Sequence, residues 1–304
     1  MVPTKPKLAL SVHIPVNHPY NGFDIYATDD SLGKHAYPFR PLKGYEEFPL
    51  FSYVHKSSAS KNYSLYRIYQ DADPEEIVYI LDSDCIPGPD FIAKHQQALR
   101  STSYGWDNPL QSNEWFPRGF PRSERIKPVV CNLGLWTNVL DLNGADRSEY
   151  EPTEPKVTGT HSAVNMLPLS GMNLAIRAKT IPVLFFLPNF QDFRRHDDIM
   201  GGYIYQKFLK KAYDGITYGE PFVYHDTVVD AKADMEEERA LVTYDDEFYE
   251  IVDKIFEKIP KGGDYLTMLH NFDEEMFRGT RFEDLIEPIK IWKHDLYPHP
   301  LLNK

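Results

Sequence analysis

Two aspartates one residue apart, Asp82 and Asp84, follow directly on the strand-like run from Glu76 to Leu81. Carboxylates so placed present hard oxygen ligands to Mg²⁺ or Mn²⁺, and a bound nucleotide diphosphate supplies others. Such a cation neutralises phosphate charge and supports departure of a nucleoside diphosphate. On its own the triplet Asp82-Ser83-Asp84 reads more readily as a solvated turn, so its chemistry depends on partners. His225 offers one, because it follows the strand-like run Phe222-Val223-Tyr224 and imidazole is a reasonable ligand for Mn²⁺. Standing alone, it would read as a packed histidine or a strand-end cap. Asp197 and Asp198 form a second acidic pair at a helix start. One caps the helix, while the other is placed to orient an acceptor hydroxyl or accept its proton. The run Arg194-Arg195-His196 just before them suits a phosphate, or is an ordinary exposed basic cluster.

The elements around these residues alternate. Leu8 to Pro15 reads as a first strand, closed by the turn cluster Asn17 to Gly22, and a second strand-like run covers Gly22 to Ala27. Tyr63, Tyr66 and Tyr69, with Leu65 and Ile68, fit a helical stripe. The β-branched strand ending at Leu81 follows, and then a helix over Asp90 to Leu99. This order predicts an α/β domain with a mainly parallel sheet, whose ligands bind beyond the carboxyl ends of the strands. Ser101 to Val130 and Asn143 to Gly159 read as loops, with strands at Val129 to Leu135 and Gly171 to Ile176 and a helix from Asp197 to Tyr213. Acidic helical patterns take over from Asp234 to Glu257, with an apolar stripe at Phe248, Ile251, Val252, Ile255 and Phe256. A terminal helical region spans Arg281 to Lys293. The expected division is a catalytic domain over 1–235 and a helical extension over 236–304 packed on it.

Composition narrows the classes. The chain has 304 residues, 42% hydrophobic and 14% aromatic, enough for a substantial core, and only two cysteines. Cys85 and Cys131 make no C-x-x-C pair and read as buried thiols. The formal charge of -12, from 33 basic and 45 acidic residues, works against nonspecific polyanion binding. The longest apolar stretch, Ile181 to Leu187, is far too short for a bilayer, and the N-terminus lacks a signal-peptide pattern, so no membrane partner and a cytoplasmic location are expected. No Walker motif occurs, and no G-x-G-x-x-G follows the first strand, which argues against a kinase, an NTPase or a nicotinamide dehydrogenase. Ser170-Gly171-Met172 lacks the nucleophile-elbow pattern.

The segments Ile80 to Pro87, Arg118-Gly119-Phe120-Pro121, Asn132 to Asn138, Ser170 to Ala175, Arg195 to Gly202 and Tyr224-His225 resemble, in order and separation, the reversibly glycosylated polypeptide family. That family includes plant UDP-arabinopyranose mutases and is related to GT-A glycosyltransferases. The resemblance covers roughly Leu8 to Asp226. It implies a GT-A-like nucleotide-diphospho-sugar transferase fold, a divalent cation (Mn²⁺ or Mg²⁺) and a UDP-sugar, with arabinose as a candidate sugar. Asp82 and Asp84 match the family's acidic motif, whose middle acidic residue is Ser83 here, and His225 matches its later metal-proximal position. Asp197 and Asp198 match its paired acids, Arg118 and Arg195 become phosphate or sugar contacts, and Gly171, Met172 and Asn173 shape the sugar pocket.

One departure separates the activities within the family. Where the mutases carry a transient sugar adduct on an arginine, this chain has Glu151 to Lys156, and no arginine occurs between Glu149 and Ile176. Arg147 and Arg177 are the nearest substitutes. Transfer to a separate acceptor is therefore expected ahead of ring interconversion, with a catalytically silent nucleotide-sugar-binding protein as the alternative outside enzymes. Tyr104, Trp106, Trp115, Phe116 and Phe120 could stack on an acceptor sugar or a nucleobase, which makes a modified DNA base a minor acceptor hypothesis. Oligomerisation and the stereochemical course are not legible in the chain.

Overall fold

A computed structural model describes residues 5–12, 16, 18, 20–31, 34, 37–53, 58–105, 117–118, 121, 127–149, 153–191 and 193–298. In chain order the strands are β1 (Lys7–Val12), β2 (Asp24–Asp29), β3 (Ile77–Asp82), β4 (Cys85–Pro87), β5 (Thr102–Ser103), β6 (Lys127–Asn138), β7 (Thr160–Ser162), β8 (Asn173–Arg177) and β9 (Gly215–His225). The α-helices are α1 (Ser58–Asp71), α2 (Phe91–Leu99), α3 (Gly144–Glu149), α4 (Asp197–Ala212), α5 (Ala231–Lys258), α6 (Tyr265–His270) and α7 (Ile286–Lys290).

The sheet runs β2-β1-β3-β8-β6-β9-β4, with β5 on β6 and β7 on β9. Along that path β8 and β4 run against the other five strands, so the sheet is mostly parallel, as expected for an α/β fold. This arrangement decides where the chemistry collects. The carboxyl ends of β1, β3, β6 and β9 lie on one rim, and antiparallel β8 brings its amino end, with residues 170–172 ahead of it, to the same rim.

Apolar clusters fill both faces. One, around Leu8, Leu10, Tyr79, Leu81, Phe91 and Val223, packs α2 on the sheet. The other runs from Val78 and Ile80 through Phe186, Tyr205 and Phe208 to Phe248, Phe256 and Trp292. Side chains from both halves of the chain share this second cluster, and the division expected after residue 235 falls inside α5. Asp230 caps that helix, its Oδ1 accepting from the backbone of Lys232 and Ala233 at 3.2 and 3.1 Å. Several elements depart from expectation, among them α3, a helix inside the stretch Asn143 to Gly159 that reads as a loop. The strand expected over Phe222 to Tyr224 starts seven residues earlier, at Gly215, because its β6 pairing carries it through Gly215, Gly219 and Pro221, residues that read as breakers. The terminal helical region breaks into a 3-10 turn (Glu283–Leu285), α7 and a π turn (Ile291–Leu296). Among the described residues no helix is long and apolar enough to cross a membrane.

Candidate active site

The acidic triplet sits on the rim because β3 ends there. Ser11 of β1 lies opposite Asp82 of β3, and the hydroxyls of Ser11 and Ser60 are hydrogen-bonded, which lays α1 over the ends of both strands. Thr28 and Ser64 repeat the contact at 2.6 Å. Small hydroxylated residues thus hold α1 close to the sheet, and its next residue, Lys61, points its amine at Asp82 Oδ1, 2.7 Å away. Tyr20 fastens the turn from the other side, its buried hydroxyl donating to the carbonyls of Ser83 (3.2 Å) and Cys85 (3.1 Å). Burial first, and the nearby Cys85, Asp84 and Asp82 charges second, raise the Tyr20 pKa and keep that donor protonated. Ser83 is buried, and its hydroxyl has no hydrogen-bond partner among the described residues.

Asp84 meets His225 through strand pairing. The register of β4 on β9 sets Cys85 opposite His225, and the Asp226 amide donates to the Asp84 carbonyl at 2.8 Å. Asp84 Oδ2 then stands 3.4 Å from His225 Nε2, while His225 Nδ1 is 2.7 Å from the Val139 carbonyl. Burial opposes a charge on this ring, but the Asp84 contact and the Val139 carbonyl outweigh it and raise the His225 pKa. The fit to a divalent ion can be tested on this pair. An octahedral ion with bonds of about 2.1 Å holds neighbouring ligands about 3 Å apart, close to the separation seen. A ligating imidazole typically passes its other N–H to a carbonyl, as Nδ1 is placed to do here. Among the described residues no group of three or more His, Cys, Asp or Glu side chains is arranged to hold a metal. The expected third ligand, Asp82, is turned to Lys61. Few protein ligands are nonetheless enough where substrate phosphates complete the shell, and a carboxylate with an imidazole suits Mn²⁺ better than Mg²⁺, so Asp84 and His225 fit a Mn²⁺ ion.

The second acidic pair lies in the first turn of α4 on the same rim, where the cap position expected for one of them is taken by His196, without a side-chain cap bond. Asp198 accepts from the Gly171 amide and from the Ile199 amide, both at 2.9 Å, which joins α4 to the residues ahead of β8. Burial and neighbouring Asp197 raise the Asp198 pKa, with Lys61 opposing. Asp197 is buried, and its charge also acts on Lys61. A further acid joins them. Asp141, three residues beyond the end of β6, has its pKa raised by burial and by Asp198, against the pull of Arg195 and His225.

Other expected site residues are placed differently. Gly171 backs onto Phe186 and Lys61, and a Cβ there would come within 2.6 Å of the Phe186 ring and 3.0 Å of Lys61 Nζ. Met172 is buried in the α2-side cluster. Asn173 is fully buried with its amide committed. Nδ2 donates to the carbonyls of Leu135 and Pro221, each at 3.0 Å, and Oδ1 lies 3.0 Å from His95 Nε2, so a direct ligand contact would cost one of these bonds. Arg195, with φ of 53°, pairs with Asp234 and, at 3.3 Å, with Glu238 of α5. The C-terminal helix thereby reaches the rim. Arg147 is buried on Asp234 (2.7 Å) and the Leu140 carbonyl (2.9 Å), and Arg177 donates to the Glu75 and Leu99 carbonyls at the opposite end of β8. Arg118 lies in an exposed turn; Gly119 and Phe120 beside it, with Trp106, Trp115 and Phe116, lie outside the described residues. Both cysteines are buried free thiols, and burial pushes Cys131 up to about 12.

A cavity of about 450 Å³ lies away from this rim, at the carboxyl end of α4, lined by Tyr104, Lys127, Lys207, Lys210, Lys211 and Asp214 among others. Lysines at that end complement the helix dipole. Lys207 is paired with Asp253 at 2.5 Å, and Lys211 donates to the Ile259 carbonyl at 2.7 Å.

Residues 74–260 match the family described as reversibly glycosylated polypeptide. This chain belongs to that family. The matched segment takes in every expected site residue, from Asp82 to His225, but not Lys61 or Tyr20. No curated protein matches. Among solved structures, the chain is similar to glucosyl-3-phosphoglycerate synthase from Mycobacterium tuberculosis, a complex with Mg²⁺ and uridine diphosphate, at 15% identity and a TM-score of 0.38 over 79% of this chain and 78% of that one. It is also similar to a structure described as a mycobacterial protein, at 14% identity and a TM-score of 0.35 over 79% and 73% of the two chains. Likeness this remote says nothing of substrate.

Lys61 and Asp141 escaped sequence reasoning. Lys61 lies among small polar residues in a helix judged by its tyrosines, and Asp141 sits between Leu140 and Leu142 outside any strand pattern. Contact across the fold gives each its place.

Proposed function

We propose that this member of the family is a metal-dependent glycosyltransferase that passes the sugar of a UDP-sugar, with UDP-arabinose as a candidate donor, to a separate acceptor. The observation that carries the reading is the meeting of Asp84 and His225 on the carboxyl rim, 3.4 Å apart, beside the acids that open α4. Asp84 and His225 hold a divalent cation together with the donor diphosphate; when bound, that ion supplies charge neutralisation for the departing nucleoside diphosphate. Asp198, with Asp141 beside it, orients or deprotonates the acceptor hydroxyl. Lys61 and Asp197 are buried beside Asp198. Ser83 and the Gly171 backbone face the donor, and Arg118 and Arg195 assist at the phosphates or the sugar, Arg195 from its seat on Asp234 and Glu238.

Transfer is favoured over mutase chemistry by what the arginines do. Both stand-ins for the missing adduct arginine are committed to protein partners, Arg147 buried on Asp234 and the Leu140 carbonyl and Arg177 on carbonyls at the far end of β8. The test is a mass-resolved transfer assay with several UDP-sugars against carbohydrate, protein and hydroxymethylated nucleic-acid acceptors, plus UDP-arabinopyranose alone. Acceptor-dependent transfer that falls on the order of 100-fold or more in Asp84→Asn is expected. Efficient furanose formation without acceptor would make the protein a mutase, and donor binding with no turnover on any acceptor would make it a binding protein.

A further inference from the structure

Lys61 is a costly residue to build in. It is 3% exposed, and it lies in the opening turns of α1, where every residue from Ser58 to Leu65 is buried. A buried ammonium must recover its lost hydration from partners. Burial works to strip its proton, but Asp82, Asp197 and Asp198 more than offset that and hold its pKa above the ordinary lysine value. The space around it is fitted. Its amine lies 5.3 Å from the centroid of the Phe186 ring, and a side chain at Gly171 would intrude on it. The next residue, Asn62, fixes that wall by donating to the Phe186 carbonyl at 2.7 Å and accepting from the Phe186 amide at 3.0 Å.

Asp82 and Asp84 are equivalent in the sequence and are not equivalent here. Asp82 faces α1 and its ammonium at 2.7 Å, whereas Asp84 faces β9 and an imidazole at 3.4 Å. A fixed cation on Asp82 Oδ1 competes with any divalent ion for that oxygen, and in a buried setting the competition is strong. From this arrangement we infer that Lys61 is a positioning residue that keeps Asp82 from the divalent cation, leaving Asp84 and His225 as its ligands among the described residues. The inference rests on the metal-dependent reading above and goes further. With so few protein ligands, the ion binds well only when the nucleotide's phosphates complete its shell. Metal and UDP then bind, and leave, as one unit.

The experiment is a Mn²⁺ titration followed by electron paramagnetic resonance, with and without UDP, on the wild type, Asp82→Asn, Asp84→Asn, Lys61→Met and the Lys61→Met/Asp82→Asn double variant. The wild type is expected to bind Mn²⁺ at least about tenfold more tightly with UDP than without. With UDP present, Asp84→Asn is expected to lose about 10- to 100-fold in Mn²⁺ affinity, while Asp82→Asn stays within about threefold of the wild type. Lys61→Met, which releases Asp82, is expected to gain about tenfold without UDP, a gain cancelled in the double variant. A lysine that only props up the fold would change melting temperature and leave Mn²⁺ affinity where it was. Equal losses in Asp82→Asn and Asp84→Asn, or no gain in a folded Lys61→Met, would overturn the inference alone. Should Lys61→Met fail to fold, the contrast between the two aspartate variants decides. Failure of the wild type to bind Mn²⁺ in the presence of UDP would overturn the metal-dependent reading, and the inference with it.

Discussion

Gly171 and Asn173 are two residues apart, yet they belong to different kinds of buried polar cluster. Asn173 is part of a neutral network under the sheet. His95 Nε2 bonds to its Oδ1, Asn132 Nδ2 reaches His95 Nδ1 at 2.8 Å and the Glu220 carbonyl at 3.0 Å, and the Thr217 hydroxyl donates to Asn132 Oδ1 at 2.8 Å. Donors and acceptors match throughout. Gly171 touches the rim cluster, where Asp82, Asp84, Asp141, Asp197 and Asp198 gather around Lys61, His225 and Arg195, more acidic than basic groups among the described residues. A satisfied network fixes strands; an unbalanced one costs stability and is kept where ligands supply what is missing. The distinction gives Asn173, expected as a sugar-pocket residue, a part in holding β6, β8 and β9 together.

The widest separation between the clusters should come from Asp198→Asn and Asn173→Ala. Asp198→Asn removes a charge that burial and Asp197 disfavour and gives up one backbone contact, so stability should move by no more than about 1 kcal/mol. Transfer should fall by about 100-fold or more if this carboxylate handles the acceptor proton. Asn173→Ala leaves two buried carbonyls and His95 without partners and should cost about 3 kcal/mol or more. Its transfer rate should fall only in step with the folded fraction, measured by urea titration of the same samples. A larger loss per folded molecule would return Asn173 to the donor pocket.

The rim was legible where chemistry-bearing residues abut strand ends. Asp82, Asp84 and His225 could be marked because the apolar runs before them are strands in any reading, and parallel pairing sends such ends to one side. Asp197 and Asp198 were legible as a helix start. What the chain did not disclose is pairing at a distance. Nothing local tells Asp82 from Asp84, since the difference lies in a lysine 21 positions away and a histidine 141 positions away. The seat of Arg195 on Asp234 and Glu238 was hidden for the same reason, because α5 read as an accessory layer. The start of β9 was hidden by its own glycines and Pro221, which break isolated strands but are tolerated where β6 supplies the register.

Acidification should separate the clusters by sign. Burial pushes His95 from 6.5 down to about 3 in the fold, where the Asn132 amide faces its Nδ1 and leaves no room for a second proton. The unfolded chain therefore takes up a proton first, and stability is lost as pH falls from 6.5 towards 3. At pH 4.5 the loss from this group is about 2–3 kcal/mol. The advantage of the wild type over His95→Gln in chemical denaturation should shrink by that amount between pH 7 and 4.5. Asp198 runs the other way. Its folded pKa is raised, so its contribution is present at low pH and lost as pH rises through the folded value, and the wild type should gain on Asp198→Asn as the solution is acidified. Parallel slopes for both pairs would dissolve the distinction.

The smallest test uses one hydroxyl from each cluster. Thr217→Val keeps the shape of a residue that is 2% exposed but strands Asn132 Oδ1, which should cost about 1–2 kcal/mol with no change in UDP affinity. Ser83→Ala removes a hydroxyl that has no partner among the described residues, so it should alter stability by less than about 0.5 kcal/mol. If the donor provides the partner, UDP binding followed by calorimetry should weaken by about threefold to tenfold, the equivalent of one hydrogen bond. A stability loss in Ser83→Ala equal to that of Thr217→Val would place Ser83 with the structural network, and the acidic turn would then be held from within rather than completed by its ligand.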